Sequence, residues 1–95
     1  MGGFVHILAN MRRARTYIGV TNDLVRRVYE HRQGLADGHI KRNNIKRLVY
    51  FEEHAAIDAA IQRETSLKRW YQQWKWALIE QNNPDWRDLW DEIVH

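Results

Sequence analysis

The chain has 95 residues, 44% of them apolar, with five tryptophans and one proline, which suits a single domain over residues 1–95 built on one core. It has no cysteine, so a disulfide framework and a thiolate metal site are excluded and a cytoplasmic setting is expected. Net charge is +3 but uneven: residues 1–50 carry ten Lys/Arg against three Asp/Glu, and residues 51–95 carry five against nine. A basic half favours a polyanionic partner, the alternative being a solvated face.

The N-terminal apolar run is too short for a signal peptide and leads into basic residues, and no stretch approaches the length of a membrane span. Residues 4–8 and 16–20 are short β-branched and aromatic runs joined by Asn10-Met11-Arg12-Arg13-Ala14-Arg15, which predicts a hairpin with a longish basic loop. Alternation puts Phe4, His6 and Leu8 on one face of the first strand, and Tyr17 with Gly19 on one face of the second.

Thr21-Asn22-Asp23 offers capping side chains and Gly34 a stop, so a helix is predicted over about residues 22–33. Residues 34–46 are polar and basic and form a loop into a third strand at residues 47–51. From Ala55 to about Trp74, Ile57, Ala60, Ile61, Leu67, Tyr71 and Trp74 follow helical spacing, with Glu52 and Glu53 just ahead, where a helix dipole favours anions. A further helical stretch covers about residues 75–81, and Pro84 sits at the first turn of a last short helix capped by Asn83. The tryptophans, at 70, 74, 76, 86 and 90, are mostly expected in the core, with Trp86, Leu89 and Trp90 docking that last helix.

On the first helix, Leu24, Val28 and Leu35 share a narrow sector, with Arg27 and His31 one turn apart on its border and Arg26 pointing away. Arg27 is therefore the arginine aimed along the sheet, either for chemistry or with its stem laid on the core edge. Glu64 falls in the middle of the apolar stripe of the long helix. A carboxylate there requires a cationic partner such as Arg27, a divalent metal, or an opening to water.

Val5-His6-Ile7, then Tyr17-Ile18-Gly19, then Thr21-Asn22-Asp23-Leu24-Val25-Arg26-Arg27 and His31, resemble the signature of the GIY-YIG nucleases. Glu64 stands where that family carries its metal-binding glutamate, and the likeness extends to Asn83-Pro84-Asp85-Trp86-Arg87-Asp88-Leu89 near the C-terminus. The branch it resembles most is the bacterial one in which the nuclease domain stands alone.

The resemblance implies an α/β fold, a small three-stranded, mainly antiparallel sheet flanked by helices. It implies a DNA endonuclease of repair or processing, dependent on Mg²⁺ or Mn²⁺, acting on single-stranded or branched DNA ahead of intact duplex. By position it implies Tyr17 near the attacking water, Gly19 allowing close approach, Arg27 and His31 at the phosphate and Glu64 on the metal, with Tyr17, Arg27 and Glu64 on one face.

His6 departs from the family tyrosine. An imidazole of ordinary pKa, about 6.5, accepts a proton far more readily than a phenolate-forming tyrosine, so His6 is expected either as general base or as a replacement that slows the site. Arg13, Arg15, Lys41, Arg42 and Lys46, with Arg12 and Arg47, are expected to line a basic groove for the phosphate backbone. Two other functions remain open: a binding module of the same fold without turnover, and a partner-binding domain presenting Trp86 and Trp90.

Overall fold

The computed structural model describes residues 2–35 and 45–94. Three strands, β1 (Gly3–Ala9), β2 (Thr16–Thr21) and β3 (Arg47–His54), form one antiparallel sheet in the order β2-β1-β3. The central strand is apolar on both sides because both sides are covered. Val5, Ile7 and Ala9 enter one buried cluster, and Leu8 enters another on the opposite face.

Helix α1 (Leu24–Arg32) covers the Leu8 face with Leu24 and Val28. Helix α2 (Ile57–Lys68) covers the Val5 face with Ala60 and Leu67, lying over β1 and β2 more than β3. Helices α3 (Gln72–Asn82) and α4 (Trp90–Ile93) follow. A register shift between Ile7 and Leu8 on the β3 side pairs Ile7 with Tyr50 and Leu8 with Leu48, leaving Val49 as the extra residue of a bulge.

Several boundaries differ from the sequence expectation. Strand β3 runs on to His54, so Glu52 and Glu53 belong to the sheet, and the acid in the first turn of α2 is Asp58. The single helix expected from Ala55 to Trp74 is two. The backbone NH groups of Arg69 and Trp70 donate to the carbonyls of Ser66 and Leu67, and Tyr71 then takes an extended conformation before α3. No glycine or proline marks this break. Trp70 packs against the buried cluster that holds Leu67, and that docking turns the chain.

Asn83 does not cap a helix beginning at Pro84; it ends α3 instead. Its buried side chain donates to the carbonyls of Val49 (3.0 Å) and Arg87 (2.9 Å) and accepts from the Arg87 NH (3.0 Å). Leu89 NH then donates to Leu48 O at 2.8 Å, and Asp88 accepts from the Leu48 NH, so the C-terminal segment covers the outer edge of β3. The outer edge of β2 has no strand partner among the described residues. Trp86 is fully buried and its indole NH donates to Glu80 at 2.6 Å, while Trp90 is half-buried beneath the Arg32 guanidinium. The expectation of a partner surface built on Trp86 and Trp90 therefore loses its support.

Candidate active site

Local sequence sets the direction of α1. Asp23 is its N-cap, accepting from the Arg26 NH at 3.2 Å, and Gly34 ends it at φ 74°, a conformation glycine adopts without strain. With Leu24 and Val28 on the sheet, the next positions around the helix are settled. The Arg26 side chain is 77% exposed, whereas that of Arg27 is 38% exposed. Both guanidiniums reach Glu30, at 3.5 and 3.3 Å, and these residues with Thr21, Asn22 and Asp23 line an open polar groove of about 550 Å³. Glu30 was not singled out from sequence; its spacing of three and four residues from the two arginines was the available signal.

Beside Arg27 lie three rings. Register pairs His6 with Gly19 and Leu8 with Tyr17, which places His6 and Tyr17 on the α1 face. His31 comes down from α1 between them, its ring centroid 5.3 Å from that of Tyr17 and 6.1 Å from that of His6. Leu35, expected in the same apolar sector of α1, is exposed, and His31 takes the inward position instead. His31 is buried, not a residue on the rim.

The ring of His6 is completely buried, and neither of its nitrogens has a hydrogen-bond partner among the described residues. Burial first, then the charges of His31 and Arg27, push its pKa down to about 3. The expectation of an imidazole with ordinary basicity is corrected accordingly: this ring is neutral at physiological pH and a weak base. Gly19 has a definite local function. A Cβ built there would lie 2.8 Å from His6 Cε1 and Nε2 and 3.1 Å from Tyr17 Cε1, so the close approach it allows is that of the His6 ring to the β2 backbone.

Glu64 lies on the sheet-facing side of α2, between Ala60 and Leu67, with its side chain 15% exposed. Because α1 and α2 cover opposite faces, the expected single face is divided. His6, Tyr17, Arg27 and His31 share one side of the sheet and Glu64 stands on the other. The ion-pair partner of Glu64 is Lys68 at 3.1 Å, one helical turn on, and not Arg27. Ile61 and Tyr71, expected in its stripe, are exposed.

Of the expected phosphate-contacting residues, Arg15 is exposed on the hairpin and Lys46 borders a groove with Arg32, Arg47 and Asp88. The Arg13 guanidinium is held by both carboxylate oxygens of Glu80, at 2.8 and 2.7 Å, and lies over the Trp76 ring. Lys41 and Arg42 lie outside the described residues.

Comparison with known proteins adds the lineage. The family described as the GIY-YIG catalytic domain matches residues 2–77, most of the chain. The chain belongs to the GIY-YIG family. A solved relative, the UPF0213 protein BH0048 from Bacillus halodurans, is 23% identical and superposes with a TM-score of 0.58 over 93% of each chain. That likeness shows the shared fold. Comparison with curated proteins gives no match.

The GIY-YIG domain is a nuclease-type fold whose members generally use divalent metals and act on nucleic acid. No group of three or more His, Asp or Glu able to hold a metal ion occurs among the described residues. One largely buried carboxylate fits an ion of the Mg²⁺ kind, which keeps several waters and takes the rest of its ligands from substrate phosphate.

A second polar cluster on the α2 face was missed from sequence. Alternate residues Tyr50, Glu52 and His54 of β3 meet Arg63 of α2: the Tyr50 hydroxyl hydrogen-bonds Glu52, His54 Nε2 lies 2.5 Å from it, and Arg63 Nε 3.0 Å. Burial, and then the hydrogen bond and charge of Glu52, push the Tyr50 hydroxyl up to about 12. Burial raises the Glu52 pKa, but the hydrogen bonds from Tyr50, His54 and Arg63 outweigh it and hold the carboxyl below its usual range. In this GIY-YIG chain the cluster ties the long helix to the sheet. The spacing of residues 50, 52 and 54 was its only sequence signal.

Proposed function

We propose that this chain is a divalent-metal-dependent endonuclease that hydrolyses phosphodiester bonds in DNA, taking single-stranded or branched DNA ahead of intact duplex. The observation that carries the proposal is the half-buried Arg27 guanidinium at a polar groove, beside a Tyr17 ring held against His31. Hydrolysis needs an oriented water, a counter to the charge that builds on phosphorus, and help for the leaving oxygen.

Arg27 donates to the phosphate oxygens, exchanging Glu30 for a stronger anion. The Tyr17 hydroxyl orients the water, and His31 and His6 fix its ring from behind. His6 serves as a positioning residue, since a ring with pKa of about 3 gives little base catalysis near neutral pH. Glu64 holds Mg²⁺ or Mn²⁺, whose chemistry when bound is Lewis-acid stabilisation of the phosphoryl and leaving oxygens. Among the described residues β2 is an edge strand, with Tyr17 packed toward the Leu24 and Val28 cluster of α1 and Ile18 in the Ala60 and Leu67 cluster of α2, so a backbone lying along that edge can be met from both sides.

The test is cleavage of labelled single-stranded, branched and duplex DNA with Mg²⁺ or Mn²⁺. Arg27→Ala is expected to lose roughly 10²- to 10³-fold in rate, as for removal of one charge-stabilising donor, and Arg26→Ala no more than a few-fold. Undiminished cleavage by both Glu64→Ala and Arg27→Ala defeats the proposal. The buried, weakly basic His6 favours a second function, a nucleic-acid-binding module of the same fold without turnover. Binding without cleavage, not improved by His6→Tyr, is its signature.

A further inference from the structure

At the break between α2 and α3, Trp70 packs on the buried cluster but the next two aromatic residues do not go inward. Tyr71 is 68% exposed and Trp74 54% exposed, although both were expected on the buried stripe of one continuous helix. They form an ordered surface: Tyr71 stands edge-on to Trp74 with centroids 4.8 Å apart, and Trp74 stands edge-on to Trp70 at 6.3 Å. Trp70 and Trp74 also line an apolar groove of about 220 Å³ with Ala77, Leu78 and Gln81.

Charge selects the occupant. Between Glu64 and Glu80 the chain carries Lys68, Arg69 and Lys75 and no Asp or Glu, in a half of the sequence that is otherwise acidic. Lys68 and Arg69, which directly precede Trp70 and Tyr71 in the chain, are exposed, with the Lys68 ammonium 3.1 Å from Glu64. The Gln72 side chain donates to Ala14 O at 3.4 Å, which sets this surface against the basic hairpin loop, where Arg12 and Arg15 are exposed. A second copy of the chain docking here by the same face would set these cations against their like. A polyanion carrying flat apolar groups meets both the charge and the rings.

We infer that Tyr71 and Trp74 form a stacking platform for the unpaired bases of a single-stranded nucleic acid, with Lys68, Arg69 and the hairpin arginines along its backbone. Bases paired within a duplex have no free face to give such a platform, whereas every unpaired base does. Tyr71 lies seven residues beyond Glu64 in the chain, just past the C-terminal end of α2; a strand stacked there serves the proposed metal site only if the nuclease proposal holds, and in this the platform rests on it.

The experiment is binding of a fluorescein-labelled oligothymidylate of roughly a dozen nucleotides, and of a duplex of the same length, followed by anisotropy with EDTA present so that no cleavage intervenes. Wild type is expected to prefer the single strand. Trp74→Ala and Tyr71→Ala should each weaken single-strand binding roughly tenfold and leave duplex binding unchanged, while Trp74→Phe retains most of it. Circular dichroism confirms that the variants fold, and the conservative variant separates loss of the ring from loss of structure.

Single-strand binding unchanged in both alanine variants, equal losses on single strand and duplex, or a wild-type dimer dispersed by Trp74→Ala each overturn the platform. The two proposals part company cleanly. Cleavage that depends on Arg27 and Glu64 but not on Trp74 sinks the platform alone, and stacking-dependent binding without cleavage sinks the nuclease alone.

Discussion

His6 is buried without a hydrogen-bond partner among the described residues and holds its proton only below a pH of about 3. In the unfolded chain the same imidazole titrates near its ordinary pKa of about 6.5. Between those two values the unfolded state binds a proton that the folded state refuses, so stability from this group is full above the unfolded pKa and falls as pH drops toward the folded one. At pH 7 the effect is small; by about pH 5 it amounts to about 2 kcal/mol. Urea denaturation at the two pH values checks this: His6→Phe should remove that part of the acid sensitivity, and parallel curves for wild type and variant would show that the ring is not held neutral by its surroundings. A tyrosine in the same place has no such titration near neutrality. The histidine thus exchanges a hydroxyl contact for a ring that packs, but makes the fold sensitive to mild acid.

Strand β2 and helix α1 form the scaffold on which Tyr17, Arg27 and His31 meet, and Gly19 sets how closely β2 can carry the His6 ring. Gly19→Ala places a methyl group within 2.8 Å of His6, which is walled in on every side. The expected loss is about 1–3 kcal/mol of unfolding free energy, as for overfilling a packed core. Combining it with His6→Ala should recover part of that loss, and strictly additive effects in the double-mutant cycle would mean that the two positions do not press on each other. This element was legible in advance because alternation in β1 and β2 and the Asp23 and Gly34 caps of α1 are local signals. The α2 to α3 break was not, since it follows from Trp70 docking on Leu67's cluster and carries no glycine or proline. The division of the site between two faces was equally hidden. A helical wheel says which side of α2 Glu64 occupies, but not which face of the sheet the helix covers, and the Glu64 partner proved to be Lys68 on its own helix.

Over the whole molecule the two outer edges of the sheet are treated differently, and Asn83 is the residue that makes the difference. The β3 edge is closed by the segment after α3, whose path depends on three hydrogen bonds from one buried amide to Val49 and Arg87. That path carries Trp86 into the core at φ 56°, lays Leu89 on Leu48, and brings Asp88 to Arg32 at 2.5 Å, so α1 is fastened from behind by the same segment. The β2 edge, on the strand that carries Tyr17, has no strand partner among the described residues. An uncovered edge with free NH and CO groups pairs readily with other chains, which is tolerable on a short strand and hazardous on two. Asn83→Ala removes all three bonds at once and strands buried backbone groups. At about 1 kcal/mol each, the total is about 3 kcal/mol, and the thermal midpoint should fall on the order of 10 °C or more. Amide exchange should rise first at Leu48 and Leu89, whose NH groups bond across this seam, while the β1–β2 amides stay protected until global unfolding. Uniform loss of protection across all three strands would mean instead that the segment folds with the sheet as one unit, and that closing the β3 edge is inseparable from forming it.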